Sequence, residues 1–129
     1  AIAHNIPYVA NANPYDLVDL YNKAKKAFET KGPAVINVFA ACPTNMKAPS
    51  NQTINISKLA TETNFWPLYE YENGRYKINY KPSKKIKIEE FLKTQTKFKQ
   101  ILKSKEDIKK IQTKIDNQWK KLNKKSNFT

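Results

Sequence analysis

The one residue in this chain with the chemistry of a metal ligand or strong nucleophile, and a position suited to either, is Cys42. It ends the nearly continuous apolar run Ala34-Val-Ile-Asn-Val-Phe-Ala-Ala41 and is followed by Pro43-Thr44. A thiolate binds metals and attacks electrophiles. In open parallel α/β sheets, ligands gather at the carboxyl ends of strands, which is where this run places the sulfur. One cysteine allows no disulfide within the chain, and any metal site would need thiolates from other sequence. A buried, inert thiol is the alternative from position alone. His4 is the single histidine, and no carboxylate or nucleophile pairs with it in sequence. There is no glycine-rich phosphate loop, no H-E-x-x-H and no nucleophile elbow. The chain therefore carries no self-sufficient active site.

Charge points elsewhere and is weaker evidence. Of the 129 residues, 24 are basic and 11 acidic, a formal net charge of +13. All but one of the basic residues are lysine, the exception being Arg75, and asparagine and isoleucine are abundant. That trio suggests drift in an AT-rich genome. Readers of phosphate and base edges favour the planar arginine fork instead. The excess falls in the second half: residues 1–64 carry 6 basic and 4 acidic groups, residues 65–129 carry 18 and 7. A non-enzymatic basic module that binds nucleic acid or another polyanion is the alternative reading, but no nucleic-acid-binding motif accompanies the lysines. No apolar run approaches membrane-spanning length and no secretory signal is present, so a cytoplasmic protein is expected. The opening Ala1-Ile2-Ala3-His4 reads as sequence already under way, and a fragment is expected.

The elements that must position Cys42 follow from periodicity. Ile6-Pro-Tyr-Val-Ala10 reads as a strand. Asn13-Pro14 reads as an N-cap followed by proline at the first helical position, with Asp16 in the first turn. Leu17, Leu20, Tyr21, Ala24, Ala27 and Phe28 form one apolar helix stripe, stopped by Gly32-Pro33. The run 34–41 then reads as a strand covered on both faces. Strand, helix, strand is a βαβ unit with a parallel pair. Two strands do not make a stable sheet, so the others are expected from missing sequence or a partner.

After a loop over 43–53, Ile56, Leu59 and Ala60 mark a short helix ending near Asn64. Residues 68–80 read as a hairpin about Asn73-Gly74, the favoured type I′ pair. Pairing outward sets Glu72 opposite Arg75 and Glu70 opposite Lys77. Tyr71 then meets Tyr76 and Tyr69 meets Ile78, giving one charged face and one aromatic face. Two helices are expected next. The first has the stripe Ile88, Phe91, Leu92, Phe98 and Leu102. The second has Ile108, Ile111, Ile115, Trp119 and Leu122, opened by a cap at Ser104. Together they read as a helical hairpin or an arm lying on a neighbour, with 123–129 fraying.

Laid in order, these segments resemble the C-terminal portion of the β subunit of pyruvate:ferredoxin oxidoreductase and related 2-oxoacid:ferredoxin oxidoreductases. The resemblance rests on Ile6-Pro-Tyr-Val-Ala10, Asn13-Pro14, Lys31-Gly-Pro-Ala34 and Ala41-Cys-Pro-Thr44. It continues through Leu59-Ala-Thr-Glu-Thr63, Phe65-Trp-Pro-Leu-Tyr-Glu70, Glu72-Asn-Gly74 and Lys87-Ile-Glu-Glu-Phe-Leu92. It implies an α/β fold: the C-terminal part of a thiamine-diphosphate-binding, parallel-sheet domain (1–64, with the cluster-ligand loop), a β-hairpin (65–81) and a helical extension (82–129). It further implies an enzyme that decarboxylates a 2-oxoacid, pyruvate by default, and passes electrons through [4Fe–4S] clusters to ferredoxin and the acyl group to coenzyme A. The implied cofactors of the full subunit are thiamine diphosphate, Mg²⁺ and a [4Fe–4S] cluster. The implied partners are α, γ and δ subunits and ferredoxin. Cys42 matches the fourth cluster ligand, and the other three lie upstream of the matched region. Two departures stand out. The family's Gly-Trp after Cys-Pro-Thr is Asn45-Met46 here, and the Gly-Asp-Gly thiamine motif and the Cys-x-x-Cys are absent from this sequence.

Overall fold

The computed structural model describes residues 1–127. A four-stranded sheet in the order β2-β1-β3-β4 organises the first two thirds of the chain. Strand β1 (Tyr8–Ala12) and strand β2 (Ala34–Val38) are parallel, in register from Tyr8 with Ala34 to Ala12 with Val38. Helix α1 (Leu17–Glu29) connects them, so the βαβ unit forms as its sequence pattern predicts. Strand β3 (Tyr69–Glu72) pairs antiparallel with the other edge of β1, and β4 (Arg75–Ile78) pairs with β3. The sheet is therefore mixed. Its third and fourth strands come from this chain's own hairpin, not from outside it as the two parallel strands suggested. The hairpin register is the expected one, Glu72 with Arg75 through Tyr69 with Ile78. Asn73 (φ 46°) and Gly74 (φ 90°) adopt the left-handed conformation that a type I′ turn demands.

Several boundaries move, each for an identifiable reason. Asn13 does not cap α1. Its side chain is buried and donates to the Ser57 carbonyl (2.7 Å) and the Thr61 hydroxyl (2.9 Å), while its Oδ1 accepts from Tyr15 N. Asp16 is the cap instead, accepting from Asp19 N at 2.9 Å. The strand expected over 34–41 ends at Val38, because Phe39 turns into the core while its N–H still donates to the Ala12 carbonyl. Nor is β2 covered on both faces. It lies at the open edge of the sheet, with Val35 and Val38 exposed.

Helix α1 departs most from expectation. The residue it buries is Lys23, not a member of the predicted apolar stripe, and Leu17, Tyr21 and Phe28 of that stripe face outward. The helix is rotated so that its polar flank meets the sheet, where a hydrogen-bonded charge network receives it.

The core lies beyond the carboxyl ends of β1 and β2. Phe39, Ile56 and Ala60 of α3 (Thr53–Glu62), Ile88, Phe91 and Leu92 of α4 (Ile88–Lys93), and Ile115 of α5 (Lys105–Asn127) form its buried cluster. Burying such a side chain contributes roughly 1.5–3 kcal/mol. The single helix predicted over 88–102 breaks after Lys93 into two short 3₁₀ turns, Thr96–Phe98 and Ile101–Lys103. The cause is local competition for backbone carbonyls: Thr94 Oγ1 and the buried Gln95 Nε2 both donate to the Phe91 carbonyl. The stripe nevertheless reaches its target, as Phe98 and Leu102 pack on the same cluster. Ser104 caps α5 by accepting from Asp107 N at 3.2 Å. Ile108 and Ile111 lie on the core, so the arm folds back on its own chain. Helix α5 runs to Asn127, where fraying from 123 was expected; residues 128 and 129 lie outside the described residues.

Candidate functional site

Cys42 is a free, exposed thiol, not the buried one that the alternative expected. It stands immediately before a four-residue helix, α2 (Pro43–Met46), and its carbonyl accepts from Met46 N at 2.9 Å. Anchors on both sides fix its place. Upstream, buried Phe39 packs against Trp66 and Phe91, with ring centroids 5.6 and 6.4 Å apart. The Trp66 indole N–H and the Phe39 amide both donate to the Ala12 carbonyl. Downstream, Met46 and Ala48 rest on the core cluster, Ala48 N donates to the Pro43 carbonyl, and the Thr96 hydroxyl donates to the Lys47 carbonyl at 2.6 Å. Lys47 takes a left-handed conformation (φ 48°) that ends the turn. The departure Asn45-Met46 thus still yields an anchored loop, with Met46 as its apolar foot. Asn13, bonded to α3, ties the end of β1 into the same platform.

A second polar assembly lies between α1 and the sheet. The Lys23 ammonium, fully buried, donates to the Asn11 carbonyl (2.7 Å) and to Asp19 Oδ2 (2.5 Å). Nearby, buried Glu70 accepts from the Tyr8 hydroxyl (3.0 Å) and from Lys26 Nζ (2.9 and 3.3 Å), with Lys77 3.8 Å away. Burial pulls Lys23 below the ordinary lysine value, opposed by its bond to Asp19. Burial likewise pushes the Asp19 carboxyl up, against the same bond. For Glu70, burial acts upward, but the hydrogen bonds from Lys26 and Tyr8 outweigh it and hold the carboxyl low. The bond to Glu70 holds Lys26 high, and burial followed by Glu70 raises the Tyr8 hydroxyl. Every charge here is spent on a partner within the network, which makes it a structural element holding α1 to β1 and β3. The sequence carried one readable sign of it, the i,i+4 pair Asp19 and Lys23. Glu70 read only as the cross-strand partner of Lys77, and Tyr8 and Lys26 gave no sign.

His4 sits exposed in a 3₁₀ turn (Ile2–His4), apart from any such assembly. The eight lysines of α5 are all exposed, on faces away from the Ile108–Leu122 stripe; Glu106 pairs with Lys110 and Asp116 with Lys85.

The Cys42 platform can contribute a single thiolate to a metal centre. A [4Fe–4S] cluster takes four, and among the described residues no group of three or more His, Cys, Asp or Glu side chains is arranged to hold a metal ion. The loop fits as donor of one ligand and not as a complete site. The Gly-Asp-Gly motif is absent from this sequence. Among the described residues, no helix is long and apolar enough to cross a membrane.

An α/β segment of this kind, with one free thiol presented past the end of a parallel strand, is homologous to the β subunits of 2-oxoacid:ferredoxin oxidoreductases, the subunits named VorB and PorB. Over 125 residues (95% of this chain) it is 48% identical to ketoisovalerate oxidoreductase subunit VorB of Pyrococcus abyssi. It is 43% identical over 120 residues to pyruvate synthase subunit PorB of Methanocaldococcus jannaschii and 37% over 123 residues to PorB of Thermotoga maritima, each match covering 93% of this chain. The chain spans about 40% of the length of these relatives. No family model matches it.

Proposed function

We propose that this chain forms the C-terminal part of the β subunit of a 2-oxoacid:ferredoxin oxidoreductase, with Cys42 supplying one thiolate to a [4Fe–4S] cluster completed by three cysteines outside this sequence. The identity of 48% over 95% of the chain carries the reading. The exposure of Cys42 on an anchored loop supports its assigned role. In this reaction the 2-oxoacid loses carbon dioxide, its acyl group passes to the sulfur of coenzyme A, and two electrons leave through clusters to ferredoxin. Thiamine diphosphate and Mg²⁺ would be held by sequence outside this chain and would supply the carbanion chemistry. This chain's contribution is to present one ligand from a rigid platform and to bind the α, γ and δ subunits beside it. Residues 1–64 complete the thiamine-diphosphate-binding domain, 65–81 form the hairpin and 82–129 the helical extension.

The test begins with the coding sequence upstream of Ala1, read for a Gly-Asp-Gly motif and three cysteines. The subunit encoded by that frame is assembled anaerobically with its partners. Coenzyme A-dependent reduction of a viologen dye is then followed with pyruvate and with ketoisovalerate, the acids in the relatives' names. Turnover with either acid, and loss of iron and visible absorbance in Cys42→Ser, is the expected result. A cluster that forms undiminished without the Cys42 thiol overturns the assignment of that residue; no turnover with any 2-oxoacid overturns the reaction.

A further inference from the structure

The one arginine of the chain does not make the pair its register suggests. Arg75 stands opposite Glu72 in the hairpin, but the Glu72 carboxylate lies 3.7 Å from Lys26 instead. Among the described residues neither Arg75 nor Lys81 has an ion-pair partner. Both line a cavity of about 670 Å³ against β4, a size that takes a small organic ligand. Lys26 and Lys77 share its wall with the carboxylates of Glu70 and Glu72, so cations outnumber carboxylates there. Lys26 and Lys77 are already held by Glu70, at 2.9 and 3.8 Å. The charge left to attract a ligand is that of Arg75 and Lys81.

The backbone adds a donor. The Asn79 amide donates to the Leu68 carbonyl at 2.9 Å, so by the alternation of an antiparallel ladder the amides of Lys77 and Arg75 also face β3. The amide of Ile78, another residue of the wall, then points away from β3. A guanidinium fork, an ammonium and an outward amide suit a phosphate group, whose oxygens the fork takes two at a time. The lysines of α5 carry more charge but no fork. Glu72, half exposed on the same wall, disfavours a second anion beside it and accepts from hydroxyls. We propose that this cavity binds a phosphate monoester with a hydroxylated body, a sugar phosphate or a nucleoside monophosphate. Arg75 and Lys81 hold the phosphate, and Glu72 accepts from the hydroxyls. The site needs neither Cys42 nor the assembly proposed above.

Titration of the isotope-labelled 129-residue chain with ribose 5-phosphate, followed by NMR, tests this. Saturable shifts of the Ile78 amide and the Arg75 side chain are expected, and none with ribose alone. Arg75→Lys keeps the charge and removes the fork, and should weaken binding by about tenfold or more. Lys81→Met lies beyond the hairpin strands and should weaken it by a similar factor, so the test does not depend on the hairpin's stability. Both side chains are exposed, and both variants should melt at the temperature of the unaltered chain. AMP replaces ribose 5-phosphate in a second arm: tighter binding makes the ligand a nucleotide, equal or weaker binding a sugar phosphate, and either supports the site. Absence of saturable binding by both esters overturns the proposal. So does undiminished binding in both variants, inorganic phosphate binding as tightly as the esters, or shifts confined to the lysines of α5.

Discussion

Replacing Glu70 with glutamine tests the network that sets the orientation of α1. The carboxylate is 5% exposed, accepts from Tyr8 at 3.0 Å and from Lys26 at 2.9 Å, and lies 3.8 Å from Lys77. Hydrogen bonds to a charged group contribute roughly 1.5–3 kcal/mol each. Glutamine keeps an acceptor for the buried Tyr8 hydroxyl, so that contact loses only its charge assistance. Lys26 is 39% exposed and recovers water when its partner becomes neutral, which discounts its share. The expected loss for Glu70→Gln at pH 7 is about 1–2 kcal/mol, and for Glu70→Leu, which strands the Tyr8 hydroxyl, about 3 kcal/mol. Urea unfolding measures both, with an unchanged slope as the sign that the unfolded state is not altered. The pH dependence supplies a second check. The folded carboxyl titrates below its ordinary value of 4.5, so on acidification the unfolded chain takes up the proton first. The contribution of the charge is thus complete above pH 4.5 and is lost as pH falls through the lower folded value. The stability gap between the unaltered chain and Glu70→Gln should be level near neutrality and shrink below pH 4.5. A glutamine variant as stable as the unaltered chain at pH 7, or a gap that does not shrink in acid, would refute the reasoning.

Three further outcomes follow from the same structure. Lys23→Met removes the buried ammonium and leaves Asp19, only 11% exposed, without its cation; the single change should cost about 3 kcal/mol, whereas pairing it with Asp19→Leu should recover most of that, a coupling measurable by a double-mutant cycle in urea. Gly74→Ala forces a side chain into φ +90° at the hairpin turn, where nothing crowds the added carbon, so its cost of about 1–2 kcal/mol in thermal unfolding is backbone strain alone. Cys42→Ser should leave the chain's own stability within about 0.5 kcal/mol, because the thiol is exposed, so loss of cluster in the assembled enzyme would report ligation and not misfolding.

Local signals in the sequence were sufficient for the hairpin, for the cap of α5 and for the place of Cys42, though not for the break after Lys93. The Asn73-Gly74 turn accepts one backbone geometry, and that geometry sets the hairpin register residue by residue. Ser104 caps α5 because its hydroxyl needs only the amide three residues on. The place of Cys42, past the end of a strand and before a proline, was equally legible, since apolar runs and prolines mark such ends without reference to anything distant.

Most of what the sequence could not determine depended on groups far apart along the chain. Its periodicity assigned α1 an apolar inner face. Folding put Lys23 there, because Asn11, Asp19, Glu70 and Tyr8 converge in a buried charge network of which only the Asp19–Lys23 spacing is visible in the sequence. Likewise the pairing of β3 with β1, which makes the sheet mixed, joins segments some sixty residues apart. Whether Cys42 was buried or presented was decided by Phe39 and Met46, which packing drew into the core on either side of it. Sequence alone determined which residue could act as a ligand and which turns must form, because those depend on neighbours in the chain. Tertiary structure decided which faces are covered, because burial is settled by whichever distant groups can satisfy a side chain's charge and fill the space around it.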